Sequence, residues 1–575
     1  MKLIEILERN RQLEKLMKGP KYNIAVISNI TINQCKEPLE FTLRQEGINA
    51  EVSIGDYDNI IQDCKRYSKY NAVIVFWEAI NLIDGFQNKA LTLTAPQLSE
   101  IHQKTKTEIK LLTSILTLTP LVLINRFSNL AFLPNVLAID PLTELCSRLN
   151  EFLASSIGSN TLLIDTSAII AKTGIHKSID YRQYQNSKAL YSAQFFTVFA
   201  DALKPAFMAV NGRAKKILVL DCDNTLWAGI LGEDGDNGIG MAYDSPRGKP
   251  FHEAQTILRG FQQQGVILAI CSKNNLSEVE AVLTNHPDMV LQYQDFVAFK
   301  INWSDKTENL QQLATELNLG LDSFVFLDDS EFEIGLVQAK LPQIECILVP
   351  ANRSEYPNRV RALGLLFFTP SKTSEDINKT KLYLQNTARE DQATQFTTTS
   401  EYLESLQLKL TPLWRSQVPV ARAAQMSQKT NQFNLTTPRY TEADISRMQH
   451  LPEYILGAFT LKDRFGEYGV SGFIVIKQQE HDITVAQIEC FLISCRVIGR
   501  QAEYCFLQQV ISLLEVQGIR TLHAKYLATP KNIRVADFYD NLGFTVLSRT
   551  PQETNYELSL GNYKFQGDIF VELAH

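Results

Sequence analysis

Ile217-Leu218-Val219-Leu220-Asp221-Cys222-Asp223-Asn224-Thr225 is four apolar residues running out into an acidic, hydroxyl-bearing turn. A short apolar run bounded by turn residues marks a strand buried on both faces, as in a parallel sheet covered by helices. Open sheets of that kind gather ligands at the carboxyl ends of their strands, which is where Asp221 and Asp223 fall. The same style recurs outward from this stretch. Residues 266–270 lead into Cys271-Ser272-Lys273-Asn274-Asn275, residues 324–327 lead into Asp328-Asp329, and residues 346–349 form one more apolar run. Trp303-Ser304-Asp305-Lys306 lies between the second and third. Three strands thus bring polar ends to one place, and Lys306 joins them from a helix start.

These residue types suit phosphoryl transfer from a monoester. A carboxylate can attack phosphorus and form an acyl phosphate, and Asp221 is the candidate nucleophile. Asp223 is the candidate acid for the leaving oxygen and then the base for water. Asp221, Asp328 and the carbonyl of Asp223 offer hard oxygen ligands that suit Mg²⁺, with Asp329 positioning the metal or its waters. Ser272 and Lys306 suit the charged phosphoryl oxygens. Singly, each element is weak: an Asp-x-Asp triplet arises in loops by chance, a serine after a strand is usually a turn residue, and a lysine is usually solvated. Their occurrence in this order, three of them where a buried strand ends, argues for catalysis.

The ordered set Asp221-x-Asp223-x-Thr225, Ser272, Lys306, Asp328-Asp329 resembles the haloacid dehalogenase superfamily of phosphatases, over about 215–350. The wider text is similar to the FkbH family. The likeness rests on Val219-Leu-Asp-Cys-Asp-Asn-Thr-Leu-Trp227, Gly229-Ile-Leu-Gly-Glu-Asp-Gly235, Ser272-Lys-Asn-Asn275, Ile301-Asn-Trp-Ser-Asp-Lys306 and Asp328-Asp-Ser-Glu-Phe-Glu333. It continues at Lys429-Thr-Asn-Gln-Phe-Asn-Leu435, Asp463-Arg-Phe-Gly466 and Ser494-Cys-Arg-Val-Ile-Gly-Arg500. Members of that family load a glyceryl unit from 1,3-bisphosphoglycerate onto the phosphopantetheine of an acyl carrier protein, removing its phosphate, in polyketide and related pathways. The resemblance implies phosphate binding by Thr225, Ser272 and Lys306, metal binding by Asp221, Asp223 and Asp328, and supporting roles for Asp329 and Asn274.

Forming a thioester requires a thiol. Cys490 lies in an apolar run and reads as a buried structural thiol, whereas Cys495 leaves that run beside Arg496 and Arg500, near a helix start. Cations and a helix N-terminus both favour thiolate. A buried, inert cysteine is the commoner state of a free thiol, and the family-like context tips Cys495 toward nucleophile.

The flanks complete an α/β multidomain expectation. Residues 1–205 alternate apolar runs at 24–27, 72–76, 121–124 and 162–164 with helical patterns, and this section resembles an SGNH hydrolase fold without its chemistry. Its first strand ends Ile27-Ser28-Asn29-Ile30 rather than in Gly-Asp-Ser, and His176 lacks the Asp-x-x-His setting, so Ser28 reads as a turn residue. Residues 206–370 are the haloacid-dehalogenase-like, Rossmann-type domain, and 371–405 a helical linker. Residues 406–575 are α+β, with strands at 472–477 and 483–491 and a helix at 501–517. Thr529-Pro-Lys-Asn532 and Phe538-Tyr-Asp-Asn-Leu-Gly-Phe544 resemble the end of a GNAT acyltransferase domain. Gln501 after Gly499-Arg500 departs from that fold's pyrophosphate loop, where a small residue lets the backbone approach, so a carrier protein is the expected acyl partner rather than coenzyme A.

Bulk properties agree. A chain of 575 residues allows several domains. A net charge of −7 argues against a grip on nucleic acid or an anionic membrane. No apolar run is long enough to span a bilayer, and residues 1–18 are a charged helical pattern rather than a signal peptide. Nine scattered cysteines read as reduced thiols, giving a cytoplasmic expectation. Two rival functions stand beside glyceryl transfer: a plain Mg²⁺-dependent phosphatase of a small metabolite, and a non-catalytic scaffold that docks carrier proteins.

Overall fold

A computed structural model describes residues 3–134, 137, 140–370, 375, 378–393, 396–563 and 569–574. The chain divides into two compact units, Met1–Asn211 with Tyr440–Arg447, and Gly212–Arg439 with Met448–His575.

The first unit is built on β1 (Tyr22–Ser28), β2 (Ala50–Ile54), β3 (Ala72–Phe76), β4 (Leu121–Asn125) and β5 (Thr161–Ile164). Their order is β2-β1-β3-β4-β5, and every pairing is parallel. The apolar runs became the central strands: β3 and β4 are buried at every residue, as helices on both faces require. The strand with no such run, β2, lies at the edge, where Glu51 and Ser53 remain partly exposed. The helix Ala193–Val210 packs Phe195, Phe196 and Phe199 around Phe76 of β3. The boundary expected at 205/206 falls inside this helix, because its apolar face continues past Pro205; the units part after Asn211. Ser28 is buried, and its hydroxyl accepts a hydrogen bond from the backbone N of Ile30 at 3.0 Å, a turn role. His176 is exposed on the short helix Ile175–Ser178.

The second unit holds two sheets. The first has β6 (Ile217–Leu220), β7 (Ile267–Ser272), β8 (Phe299–Ile301), β9 (Phe324–Asp328) and β10 (Glu345–Leu348) in the order β10-β9-β6-β7-β8, all parallel. The chain runs outward from β6 in both directions, which opens a crevice beyond its carboxyl end. One face packs on a layer that includes Trp227, Leu258 and Tyr356. The other packs on a layer that includes Leu310, Leu313 and Tyr383. Tyr383 belongs to the helix Lys379–Ala393, so much of the expected linker is a covering helix of this sheet. Residues 371–374, 376–377 and 394–395 of that segment lie outside the described residues.

The second sheet has β11 (Leu408–Trp414), β12 (Phe433–Asn434), β13 (Tyr454–Asp463), β14 (Gly466–Gln478), β15 (Val485–Ile493), β16 (Thr521–Leu527), β17 (Thr545–Arg549), β18 (Glu553–Ser559) and β19 (Val571–Leu573). Its path is β17-β18-β16-β15-β14-β13-β11-β19, with β12 added on β15. The pairings are antiparallel except β15 with β16 and β11 with β19. The helix Ala502–Val516 buries Phe506, Val510 and Leu514 in its core, giving the α+β character expected of this section. Among the described residues no helix is long and apolar enough to cross a membrane.

Candidate active site

Asp221 leaves β6 with its backbone N bonded to the Leu327 carbonyl of β9, so the neighbouring strand fixes it. Asp328 closes β9, Ser272 closes β7, and Lys306 is the first residue of the helix Lys306–Glu316, capped by Asp305. All four side chains are buried. The Lys306 Nζ donates to Asp221 Oδ1 at 2.7 Å and to Asp328 Oδ2 at 2.6 Å. Burial works against that ammonium, but the two carboxylates outweigh it and hold it protonated. Burial pushes the Asp221 carboxyl up, Lys306 opposes the rise, Asp328 adds to it, and the Ser272 hydroxyl supports the ionised form. The site is thus a buried charge cluster balanced around one lysine, a state held only where the geometry is fixed.

Asp223 is held on both oxygens. Oδ1 accepts from Trp227 Nε1 at 2.9 Å and from the Leu231 N at 3.0 Å, and Oδ2 accepts from Asn274 Nδ2 at 2.9 Å. Asn274 also donates to Ser272 Oγ at 3.2 Å, linking the ends of β6 and β7. The loop that makes this possible turns at Asn224, whose φ is 53°, and at Gly229, whose φ is 103°. A Cβ on Gly229 would meet Asp234 Oδ2 at 2.4 Å, so glycine is needed there. Thr225 is buried with its hydroxyl unpaired, while its carbonyl accepts from Tyr356 Oη at 2.9 Å.

Carboxylate oxygens of Asp221, Asp328 and Asp329 lie within 4.8 Å of one another. This all-oxygen set fits a hard divalent cation. Asp221 and Asp328, both expected as ligands, stand in this cluster with Asp329, while the Asp223 carboxylate accepts from Trp227, Leu231 and Asn274 and its carbonyl is the oxygen expected to face a cation. Burial and Asp328 raise the Asp329 carboxyl, and Arg353, 3.8 Å away, counters them. Arg353 carried no signal in the sequence, being one arginine in a polar turn.

Cys495 is elsewhere. It opens a turn just after β15. Its sulfur lies 3.8 Å from Tyr383 Oη, and its carbonyl accepts from Asn318 Nδ2 at 2.7 Å. It lines a cavity of about 450 Å³ with Lys216, Asp322, Arg422, Lys429, Arg496 and Lys531. Of the two arginines expected beside it, Arg496 lines this cavity, and both Arg496 and Arg500 line a second cavity with Cys495. Lys216, the residue before β6, interacts electrostatically with the Cys495 sulfur; burial pulls the Lys216 ammonium down and the sulfur and Asp322 oppose this. Arg500 lies over the Tyr402 ring at 5.3 Å, and the helix begins only at Ala502, after Gln501 has turned left-handed. Cys490 is fully buried inside β15, and burial drives its thiol far up, as befits a structural cysteine.

Lys216 and Asn318 lie at the amino ends of the strands, Asp221 and Lys306 at their carboxyl ends. The thiol and the carboxylate cluster therefore occupy opposite ends of one sheet.

No protein-family profile and no curated protein matches the sequence. Among solved structures the chain is similar to the N-terminal part of the protein BF1531 from Bacteroides fragilis, which contains a phosphatase domain and is complexed with Mg. Identity is 22%, the TM-score is 0.56, and the match covers 64% of this chain and 100% of that one. This likeness is one of fold. Shorter stretches are similar to the ribosomal-protein-S18-alanine N-acetyltransferase from Escherichia coli (16% identity, TM-score 0.21, 28% of this chain and 99% of that one). Others are similar to an acetyltransferase from Thermus thermophilus (20% identity, TM-score 0.20, 27% and 99%).

Proposed function

We propose that this chain is a bifunctional glyceryl transferase and phosphatase. It takes 1,3-bisphosphoglycerate, holds the acyl group as a thioester on Cys495, removes the ester phosphate at Asp221 and delivers glyceryl to the phosphopantetheine thiol of an acyl carrier protein. The observation that carries the phosphatase half is the Lys306 ammonium shared between Asp221 and Asp328 where three parallel strands end. That cation sits where a phosphoryl group would need charge neutralised, and it needs no reorganisation when the transition state forms.

Asp221 Oδ attacks phosphorus and the ester oxygen departs, taking its proton from Asp223, whose orientation Trp227 and Asn274 fix. Asp223 then takes a proton from the water that hydrolyses the aspartyl phosphate. Ser272 and Thr225 are suited to the phosphoryl oxygens. Asp221, Asp328, Asp329 and the Asp223 carbonyl would hold Mg²⁺, which supplies further neutralisation of phosphoryl charge. The Mg complex of BF1531, a phosphatase-containing structure of the same fold, supports this cofactor.

The acyl half rests on Cys495, the one cysteine lining the cation-rich cavity. Its sulfur attacks the carboxyl-phosphate carbon and inorganic phosphate leaves. The β15–β16 sheet with its helix Ala502–Val516 supports a GNAT-like reading of 406–575. The parallel sheet of the first unit supports an SGNH-like scaffold, and the turn-bound Ser28 supports its being non-catalytic.

Two variants test the reading. Asp221→Asn should fold and lose phosphate release by at least a thousandfold, measured with a small phosphomonoester in Mg²⁺; undiminished turnover would sink the phosphatase mechanism. Cys495→Ala should abolish acyl transfer to a carrier. Unchanged product formation would leave the plain phosphatase as the better reading.

A further inference from the structure

We infer that the second cavity beside Cys495 seats a phosphate monoester, the one carried by the acyl donor that this thiol attacks, and that Arg496, Arg500 and Arg534 select it. This rests on the proposed acyl transfer and names how its donor is recognised.

Cys495 stands between two cavities, and Asn318, Gln432 and Arg496 line both with it. The first mixes its cations with Asp322 and with apolar walls such as Leu319 and Phe433. The second, of about 410 Å³, is lined by Arg496, Arg500 and Arg534, and among the described residues no carboxylate lines it. Its size suits a small ligand.

Ion pairs do not explain these three arginines. Elsewhere in the same unit the buried Arg389 is matched by Asp463 at 2.6 Å. Arg496 is 9% exposed, its Nε is buried without a partner, and its Nη2 reaches the Tyr468 carbonyl at 3.5 Å. Arg500, which lies over the Tyr402 ring, likewise has its Nε buried and unpartnered. Arg534 is exposed at the rim, and its Nη1 donates to Asn318 Oδ1 at 3.4 Å. Asn318 in turn donates to the Cys495 carbonyl, which ties the third arginine to the residue that bears the thiol. Burying a guanidinium unmatched is costly, so unmatched donors of one charge around a cavity define an anion site. Guanidinium forks match phosphate oxygens in pairs.

The loop between the two buried arginines offers side chains rather than open backbone. Gly499 and Gln501 are both left-handed, with φ of 80° and 61°, and Gln501 Oε1 accepts from the Phe570 N at 3.2 Å. A small residue at 501 would let a pyrophosphate meet the helix start directly. With glutamine there, recognition falls to the arginines.

Reach decides whose phosphate this is. A three-carbon acyl donor places its ester phosphorus about five bonds from the attacking sulfur, at most about 8 Å away. The phosphate of a pantetheine arm lies about thirteen bonds from the arm's own thiol, on the order of 16 Å. A small cavity lined by both the thiol and the arginines fits the shorter reach.

The test follows alkylation of Cys495 by iodoacetamide in the full-length chain, read as the mass of the Cys495 peptide, in chelator. 3-Phosphoglycerate should slow the labelling, and glycerate at the same concentration should not. Arg534→Gln, at an exposed position, and Arg500→Gln should each raise the 3-phosphoglycerate concentration for half protection at least tenfold. That concentration does not depend on how fast the free thiol reacts. No protection by 3-phosphoglycerate, equal protection by glycerate, or an unmoved half-protection concentration in either variant overturns the inference. So does protection by phosphopantetheine without protection by 3-phosphoglycerate, which would give the arginines to the acceptor arm. If 3-phosphoglycerate protects while 1,3-bisphosphoglycerate leaves no adduct on Cys495, the acyl-transfer reading fails and the phosphate pocket stands.

Discussion

Glu78 follows β3 in the first unit with its side chain buried, where its Oε1 accepts from Tyr191 Oη at 3.1 Å and from Asn125 Nδ2 at 3.4 Å. Burial pushes its carboxyl up to about 8, against the pull of the Tyr191 hydrogen bond. Below the ordinary carboxyl range both folded and unfolded chains hold this proton, and its contribution to stability is fully present. Between that range and about 8 the unfolded chain gives the proton up while the folded chain keeps it, so stability falls at about 1.4 kcal/mol per pH unit. Calorimetry from pH 5 to 8 should therefore show a falling melting temperature, and Glu78→Gln, which keeps an acceptor for Tyr191, should flatten that fall. Equal slopes in the two proteins would remove Glu78 as its cause. At this scale the sequence was informative where chemistry and position coincided: Asp221, Ser272 and Asp328 are polar residues at the ends of apolar runs. Lys216, Arg353 and Tyr383 were invisible, because each is an ordinary residue made special only by what folds against it.

The helix Lys306–Glu316 shows how an element aims a buried ammonium at two aspartates. Asp305 Oδ1 accepts from the Thr307 N at 2.8 Å, and Oδ2 pairs with Lys340 at 2.8 Å. The Lys340 and Thr307 hydrogen bonds pull its carboxyl down to about 2. Lys306 is the next residue, so the cap fixes the start of the helix and with it the Nζ that joins two aspartates. Asp305→Ala should cost about 1 kcal/mol in denaturant unfolding and lower phosphate release several-fold, while Asp305→Asn, which can still cap, should recover most of both. A loss of stability without a loss of rate would mean the lysine is aimed by its ion pairs alone. The limits of the sequence are also visible in elements. Central strands with unbroken apolar runs, β3, β4, β6 and β9, declared themselves. The strands β2 and β8 did not, for both lie at sheet edges and are only partly buried.

At the scale of the second unit, the segment expected to join two domains is a wall of the Cys495 cavity. The helix Lys379–Ala393 places Tyr383 against the Cys495 sulfur at one point and Arg389 against Asp463 at another. Arg389 Nε donates to Asp463 Oδ2 at 2.6 Å and Nη2 to Oδ1 at 2.9 Å, and the guanidinium lies 4.0 Å over the Tyr468 ring. Both partners are buried, with side chains 1% and 0% exposed. Composition shows why the sequence hid this: the segment is polar overall, and what marks it is Tyr383 packing on a sheet that begins at Ile217, far back in the chain. Removing one member of such a pair leaves a buried charge unmatched, at a cost of about 3–5 kcal/mol. Asp463→Asn should accordingly lower stability by that order and loosen the helix that holds Tyr383. Acylation of Cys495 should slow at least tenfold under conditions where the variant remains folded. Phosphate release from a small phosphomonoester should be unchanged, since Asp221 lies at the other end of the sheet. A matching fall in both rates would show that the two centres communicate through the shared core, and that their separation is one of distance only.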